Sequence, residues 1–266
     1  MLIPISDVAG EHGAEIGIIG GSGFYEFLDD ATELDFDTPF GEPSAPVTVG
    51  TVAGRGVAFL PRHGRGHRFA AHRVPFRANI WALATLGIRG IVAPCSVGSL
   101  RPDLSPGEFV VIDQLVDRTW GRPDTFHDLG APPGSPGADA SLHHQSFADP
   151  YDPTLRAALV DAGRRIDVTV HDGGTMVVIN GPRFSTRAES RWFRDMGWDV
   201  VNMTGYPEAV LAAEAGIPYA SIALVTDHDA GVDGHEPVTM DAVLATMSAN
   251  VARVRELLAD AMPHLP

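Results

Sequence analysis

The sequence predicts an α/β fold with a sheet largely covered by helices, organised as one domain over residues 1–266. Three features predict it. Short Val- and Ile-rich runs recur along the chain, segments with helical spacing separate them, and neither an internal repeat nor a linker interrupts the series.

Residues 16–19 and 56–60 read as the first strands, nearly continuous apolar runs of the kind that sheets bury on both faces. Residues 76–86 have helical spacing, and strands follow at 91–93 and 109–113. The Gly- and Pro-rich stretch 121–153 reads as an arm, a lid or a mobile loop, because so long a connection is uncommon inside a compact domain. A helix at 155–165, a strand at 176–179, a helix at 186–196 and a strand at 200–203 continue the alternation. A helix at 207–215 and a strand at 219–225 complete it. The last segment is the clearest helix: Met240, Val243, Leu244, Met247, Val251, Val254 and Leu258 repeat at three and four residues, behind Thr239 as N-cap.

Composition excludes several classes of function. Net charge is -15, and an acidic surface is unsuited to displacing counterions from nucleic acid or docking on an anionic membrane. All 19 basic residues are Arg. Without lysine there can be no P-loop lysine, no Schiff base and no pyridoxal-phosphate anchor. The single cysteine, Cys95, excludes an internal disulfide and a Cys-based structural zinc site, as expected of a reducing, cytoplasmic setting. The first residues lack the basic start of a secretory signal, and no apolar run approaches the roughly 20 residues that span a bilayer.

Four segments carry chemistry. In IGIIGGSGFYEF a strand feeds Gly20-Gly21-Ser22-Gly23, a turn able to aim N–H groups and a hydroxyl at an anion. It is not a Rossmann fingerprint, since Glu26 stands where a third glycine belongs and would repel a pyrophosphate. PRHGRGHRFAAHR, residues 61–73, packs four Arg and three His into 13 residues at a strand end. Arg62 offers a planar fork for bidentate phosphate capture, whereas Gly64 and Gly66 argue against a helical His63–His67 zinc pair. In INGPRFSTRAES, Ser185 or Thr186 can cap the helix that follows. Finally, Asp227 and Asp229 close an apolar run, and both can line a site if the backbone bends there.

Together these segments resemble the trimeric purine nucleoside phosphorylase superfamily, most closely its 5′-methylthioadenosine phosphorylase branch. GIIGGSG, PRHGRGH, FRANIWAL, DQLVDRTWGRP, GTMVVINGPRFSTRAES, VNMTGYPEAVLAAEAGI and ASIALVTDHDAG follow the family's order over nearly the whole chain. The resemblance implies a mixed, twisted or barrel-like central sheet, a homotrimer with active sites near subunit boundaries, and phosphorolysis of a nucleoside with inorganic phosphate as co-substrate and no metal or organic cofactor. It assigns phosphate to Ser22, Arg62, His63, Cys95, Ser96 and Thr204. Met203 would pack under the ribose and Phe184 against the purine, with Asp227 and Asp229 at the base edge as catalytic pair. Ser185 and Met240 align with positions linked to substrate choice, and His144 would reach a neighbouring subunit's 5′ pocket. Gly205-Tyr206 replace the family's Thr-Thr or Thr-Val, which is expected to alter the ribose-side pocket. Two Asp residues suit a 6-aminopurine, one ionised to accept from the amine and one protonated to donate to N7. The expected reaction is therefore phosphorolysis of methylthioadenosine. The alternatives are a phosphorylase for adenosine, inosine or guanosine, a nucleosidase, and a nucleoside-binding sensor.

Overall fold

The computed structural model describes residues 13–21, 28–128, 137, 141–230 and 234–266. Among these, eleven strands form one mixed sheet: β1 (Ile16–Gly20), β2 (Asp29–Leu34), β3 (Val47–Val52), β4 (Arg55–Pro61), β5 (Gly90–Ser99), β6 (Phe109–Val111), β7 (Gln114–Arg118), β8 (Val170–Asp172), β9 (Thr175–Ile179), β10 (Val200–Asn202) and β11 (Tyr219–His228). The helices are α1 (Phe76–Thr85), α2 (Pro153–Arg165), α3 (Arg187–Asp195), α4 (Gly205–Glu214) and α5 (Met240–Ala261).

Alternation along the central strands sends side chains to two cores. Ile19, Ala58 and Leu60 join α1 and α4 on one face, whereas Ile16, Ile18, Val57 and Phe59 join α2 and α5 on the other. A smaller cluster of Leu100, Val177, Phe193 and Val201 seats α3. Both α2 and α5 are capped by side-chain oxygens, α5 by Thr239 as expected. Asp152 accepts from the amides of Thr154 and Leu155, and Thr239 from that of Ala242.

The sheet runs β2-β3-β4-β1-β5-β10-β9-β7, with β11, β6 and β8 branching from β5. β5 is the pivot. Its Gly90–Val92 segment pairs parallel with β1, while Gly98 and Ser99 pair antiparallel with β10. On its other edge β11 pairs with it from Ile91 to Ser99. Residues 93–97 consequently lack a strand neighbour on one side, and the C-terminal ends of β1 and β10 converge on that gap. A place where strand direction reverses outside carboxyl ends is where open α/β sheets hold ligands.

The predicted helices and strands are all present, several with shifted ends. The strands expected at 109–113 and 200–203 stop at Val111 and Asn202, and the helix expected from 207 begins at Gly205. β11 continues to His228, three residues past its expected end. Four strands had no clear signal. β2 is a run of mostly exposed polar residues, β7 and β8 are edge strands, and Gly50 interrupts β3. That glycine lets β2 cross, since a Cβ there would lie 2.5 Å from the Asp29 carbonyl oxygen. The two ends of the 121–153 stretch are anchored: Phe126 packs against Phe40 and Trp81, Glu214 accepts from the Thr125 hydroxyl and the Phe126 amide, and Tyr151 is buried.

Candidate active site

A cavity of about 770 Å³ opens at the gap beside β5. It gathers Arg62, His63, Cys95, Ser96, Phe184, Ser185, Met203, Thr204, Asp227, Asp229 and Met240 from segments far apart in sequence. Ser22 lies outside the described residues, although its neighbour Gly21 lines the cavity. His144 is exposed and does not line this chain's own cavity. Gly205 and Tyr206, the departure from the family pattern, lie behind the cavity wall at Thr204. Neither residue lines the cavity, and the Tyr206 hydroxyl donates instead to Asp124 Oδ2 at 2.7 Å. Gly205 is held close to Met176, whose Sδ would stand 2.7 Å from any added Cβ.

Arg62, just past β4, is buried against the open stretch of β5. Its Nε donates to Glu208 Oε2 and its Nη2 to Glu208 Oε1, both at 2.8 Å. Nη1 donates to the Pro94 carbonyl and Nη2 also to that of Ile19. Burial alone would lower the Arg62 pKa, but the Glu208 carboxylate outweighs it and raises it. The fork expected to grip phosphate thus grips Glu208. Four of the five N–H donors are committed, and one N–H on Nη1 remains for the cavity.

His63 Nδ1 lies 2.8 Å from the Phe69 carbonyl oxygen. A carbonyl only accepts, so Nδ1 carries the proton and Nε2 is left with its lone pair. Burial lowers the His63 pKa to about 4, despite the Phe69 carbonyl, and the neighbouring Arg62 charge adds to the shift. The ring is neutral at pH 7. It stacks on His67 at 4.0 Å, and Gly64 and Gly66 take positive φ of 70° and 66°, so these two histidines face each other rather than share a helical metal site. Among the described residues no group of three His, Cys, Asp or Glu is arranged to hold a metal.

Asn202 braces the end of β10. Its Oδ1 accepts from the amides of Thr204 and Gly205 at 2.6 and 2.7 Å, and its Nδ2 donates to the Ser96 carbonyl. Thr204 is thereby held at the start of α4 beside the opening in β5. Cys95 faces Ser221 across 3.5 Å, and burial pushes its thiol pKa up, with Arg62 opposing.

The carboxylates sit four residues further along β5. Between Val225 and Asp227 the β11 register slips by one residue, a bulge at Thr226. That is the bend on which the sequence reading depended. Thr226 Oγ1 donates to Asp227 Oδ1 at 2.7 Å. Burial raises the Asp227 pKa to about 6, opposed by the Thr226 hydroxyl and aided by the Asp229 charge. Asp229 is also raised by burial, with the Ser185 and Ser190 hydroxyls beside it pulling the other way. Asp229 Oδ2, Ser185 Oγ and Ser190 Oγ are buried together, with both hydroxyls turned to the carboxylate. Ser185 is free for this because Thr186 takes the N-cap of α3 in a reciprocal box with Glu189, which resolves the two capping options.

Several residues here had no signal in the sequence. Gly98, Ser190 and Glu208 read as ordinary strand and helix residues. On α5 the apolar face is divided: Leu257 and Leu258 enter the core, while Met240, Leu244, Met247 and Val251 line the cavity.

The cavity therefore has a polar end at Arg62, His63 and Thr204 and a carboxylate end at Asp227 and Asp229, set along one strand. Pro94, which holds Arg62, and Gly98, which underlies the carboxylates, are four residues apart, roughly 13 Å at the rise of a strand. A cavity at such a switch point is where an α/β sheet holds a small-molecule ligand. The chain belongs to the phosphorylase superfamily, whose family model matches residues 15–262. It is 54% identical over 253 residues to a purine nucleoside phosphorylase of Streptomyces coelicolor, covering 95% of this chain and 90% of that protein. It is 55% identical over 248 residues to an S-methyl-5′-thioadenosine phosphorylase of Mycolicibacterium smegmatis, covering 93% and 90%. The structure of methylthioadenosine phosphorylase from Schistosoma mansoni in complex with adenine superposes with a TM-score of 0.87 at 41% identity, covering 93% of this chain and 90% of that one.

Proposed function

We propose that this enzyme cleaves S-methyl-5′-thioadenosine with inorganic phosphate, giving adenine and 5-methylthioribose 1-phosphate. The observation that carries the reading is the placement of three chemistries in one cavity: an oxyanion end with the Arg62 N–H, the Thr204 hydroxyl and the His63 Nε2 lone pair, a carboxylate end at Asp227 and Asp229, and an apolar wall from α5. Phosphate oxygen attacks C1′ as the C1′–N9 bond breaks, and the bond's electron pair leaves on the purine. The transition state carries positive charge on the ribose, as in glycoside hydrolysis, so a fixed phosphate anion stabilises it. The lone pair on His63 Nε2 suits the P–OH proton of hydrogen phosphate, which would turn the remaining oxygens towards donors and C1′. Adenine leaves poorly as a bare anion. Asp227, with its pKa raised to about 6, is suited to give a proton to N7, and ionised Asp229 to accept from the 6-amino group.

The α5 wall favours an apolar 5′ substituent. Met240, Val243, Leu244, Met247 and Val251 line the cavity, with Ser248 as a polar exception. The likeness to a Streptomyces protein named purine nucleoside phosphorylase supports a second reading, in which adenosine or a 6-oxopurine nucleoside is the substrate. The test is product analysis for methylthioadenosine, adenosine and inosine, with and without phosphate. A phosphate-dependent pentose 1-phosphate, formed fastest from methylthioadenosine, supports the proposal. Free sugar would mean hydrolysis, and a preference for inosine would install the second reading.

A further inference from the structure

The oxyanion end has a deficit of charge. Arg62 is a cation, but buried Glu208 cancels it at 2.8 Å and occupies its fork. His63 is neutral, Cys95 is held as a thiol by burial, and the two carboxylates further along the cavity add negative charge. A phosphate carrying between one and two negative charges entering this cavity meets no uncompensated cation among those residues.

One arginine lining the same cavity is differently placed. Arg68 is exposed, forms no ion pair among the described residues, and rests its guanidinium over the Phe69 ring, 4.5 Å from the centroid. Its stem lies against the backbone next to His63, since a Cβ at Gly64 would stand 3.1 Å from Arg68 Cγ. The loop that carries it closes on itself: the Phe69 amide donates to the His63 carbonyl at 3.0 Å, and His63 Nδ1 donates to the Phe69 carbonyl. Arg68 and His63 are therefore held side by side by one short loop. A cation–π contact at an exposed site is weaker than a hydrogen bond between charged groups. The guanidinium can leave the ring for an oxyanion.

We propose that Arg68 is a phosphate-binding residue: it swings from Phe69 across the oxyanion end and supplies the net positive charge that the Arg62–Glu208 pair does not. The proposal rests on reading the cavity as a phosphate site, and it adds a residue to that site. It also divides the labour. Arg62 is a buried, neutralised scaffold that offers one directed N–H, and Arg68 is the mobile counter-charge.

The experiment is calorimetric titration of inorganic phosphate into the wild-type protein, Arg68→Gln and Arg68→Lys, with steady-state phosphorolysis of methylthioadenosine measured alongside. Loss of one charged contact should weaken phosphate binding by roughly 10- to 100-fold in Arg68→Gln. Arg68→Lys should recover part of that loss. The KM for phosphate should rise in parallel, much more than the KM for the nucleoside. Wild-type affinity in Arg68→Gln overturns the proposal and leaves phosphorolysis standing. Weakened binding in a protein that forms no pentose 1-phosphate upholds Arg68 and overturns the reaction. A wild-type protein that binds no phosphate overturns both. Arg68 is exposed, so the variants are expected to fold, and an unchanged melting temperature without phosphate checks this.

Discussion

Gly98 and Asp227 are in near contact: a Cβ built on Gly98 would stand 3.1 Å from Asp227 Oδ2, and 3.4 Å from Asp229 Cβ. The bulge in β11 folds both carboxylates over the bare backbone of β5. Gly98→Ala should therefore push the Asp227 carboxyl by a few tenths of an ångström. Small misplacements of reacting groups are expensive, and a loss of about ten-fold in kcat/KM for the nucleoside is expected. Phosphate affinity by calorimetry should change little, because Gly98 lies roughly 13 Å along the strand from the Arg62 contact. An equal loss in phosphate affinity would show that the two ends are not separable in this way.

The pH dependence should follow Asp227, whose pKa burial raises to about 6. If its protonated form delivers the proton to N7, kcat/KM for methylthioadenosine falls as pH rises past about 6, and that limb disappears in Asp227→Asn. Comparison of the two profiles cancels the ionisation of phosphate itself. The same shift has a consequence for stability. The native carboxyl binds its proton more tightly than the unfolded one, so its stabilising contribution is complete below about pH 4 and is lost as pH rises through about 6. That loss is on the order of 2–3 kcal/mol, and urea denaturation of Asp227→Asn should lack it. Asp229→Asn should shift preference towards inosine, because an amide at the position facing the purine 6-substituent can donate to a 6-oxo group.

Glu208 should behave as a structural partner of Arg62. Both are buried, and Glu208 Oε1 also accepts from the Tyr219 hydroxyl at 2.8 Å. Replacing the carboxylate alone, as in Glu208→Gln, leaves a buried guanidinium uncompensated and should cost about 3–5 kcal/mol in denaturant unfolding. The double variant Arg62→Met with Glu208→Leu should be less destabilised than Glu208→Gln. Additive losses in that comparison would mean the pair is not coupled.

Assembly gives a fourth expectation. His144 is exposed and outside its own cavity, and Leu142, two residues before it, is 68% exposed. A cyclic homotrimer would let each arm complete the next subunit's site through a heterologous contact. Light scattering should report about three chain masses. His144→Ala should raise the KM for methylthioadenosine while leaving that mass unchanged. A fully active monomer would refute the assembly.

Much of the architecture was legible in the sequence because its signals are local. Apolar runs such as Ile16–Gly20 can only be buried strands, and the repeat from Met240 onwards can only be a helix face. Thr239 acts within three residues of itself, so its cap is local as well. The candidate site residues from Arg62 to Asp229 were legible only through the resemblance of whole segments taken together, since each residue type alone also fits ordinary strand and turn roles.

What each of them touches was decided only in three dimensions. The split in β5 between β1 and β10, which opens the cavity, depends on pairings about a hundred residues apart. Arg62 looked like a free phosphate fork, yet Glu208, far along the chain on α4, takes it. Ser185 and Thr186 were equivalent as caps until packing turned one hydroxyl to the helix and the other to Asp229. The apolar repeat of α5 carries no mark that separates core from cavity wall. Periodicity records which residues avoid water, and burial beneath a sheet and the lining of an apolar pocket satisfy that demand equally; only the placement of the opposing strands distinguishes them.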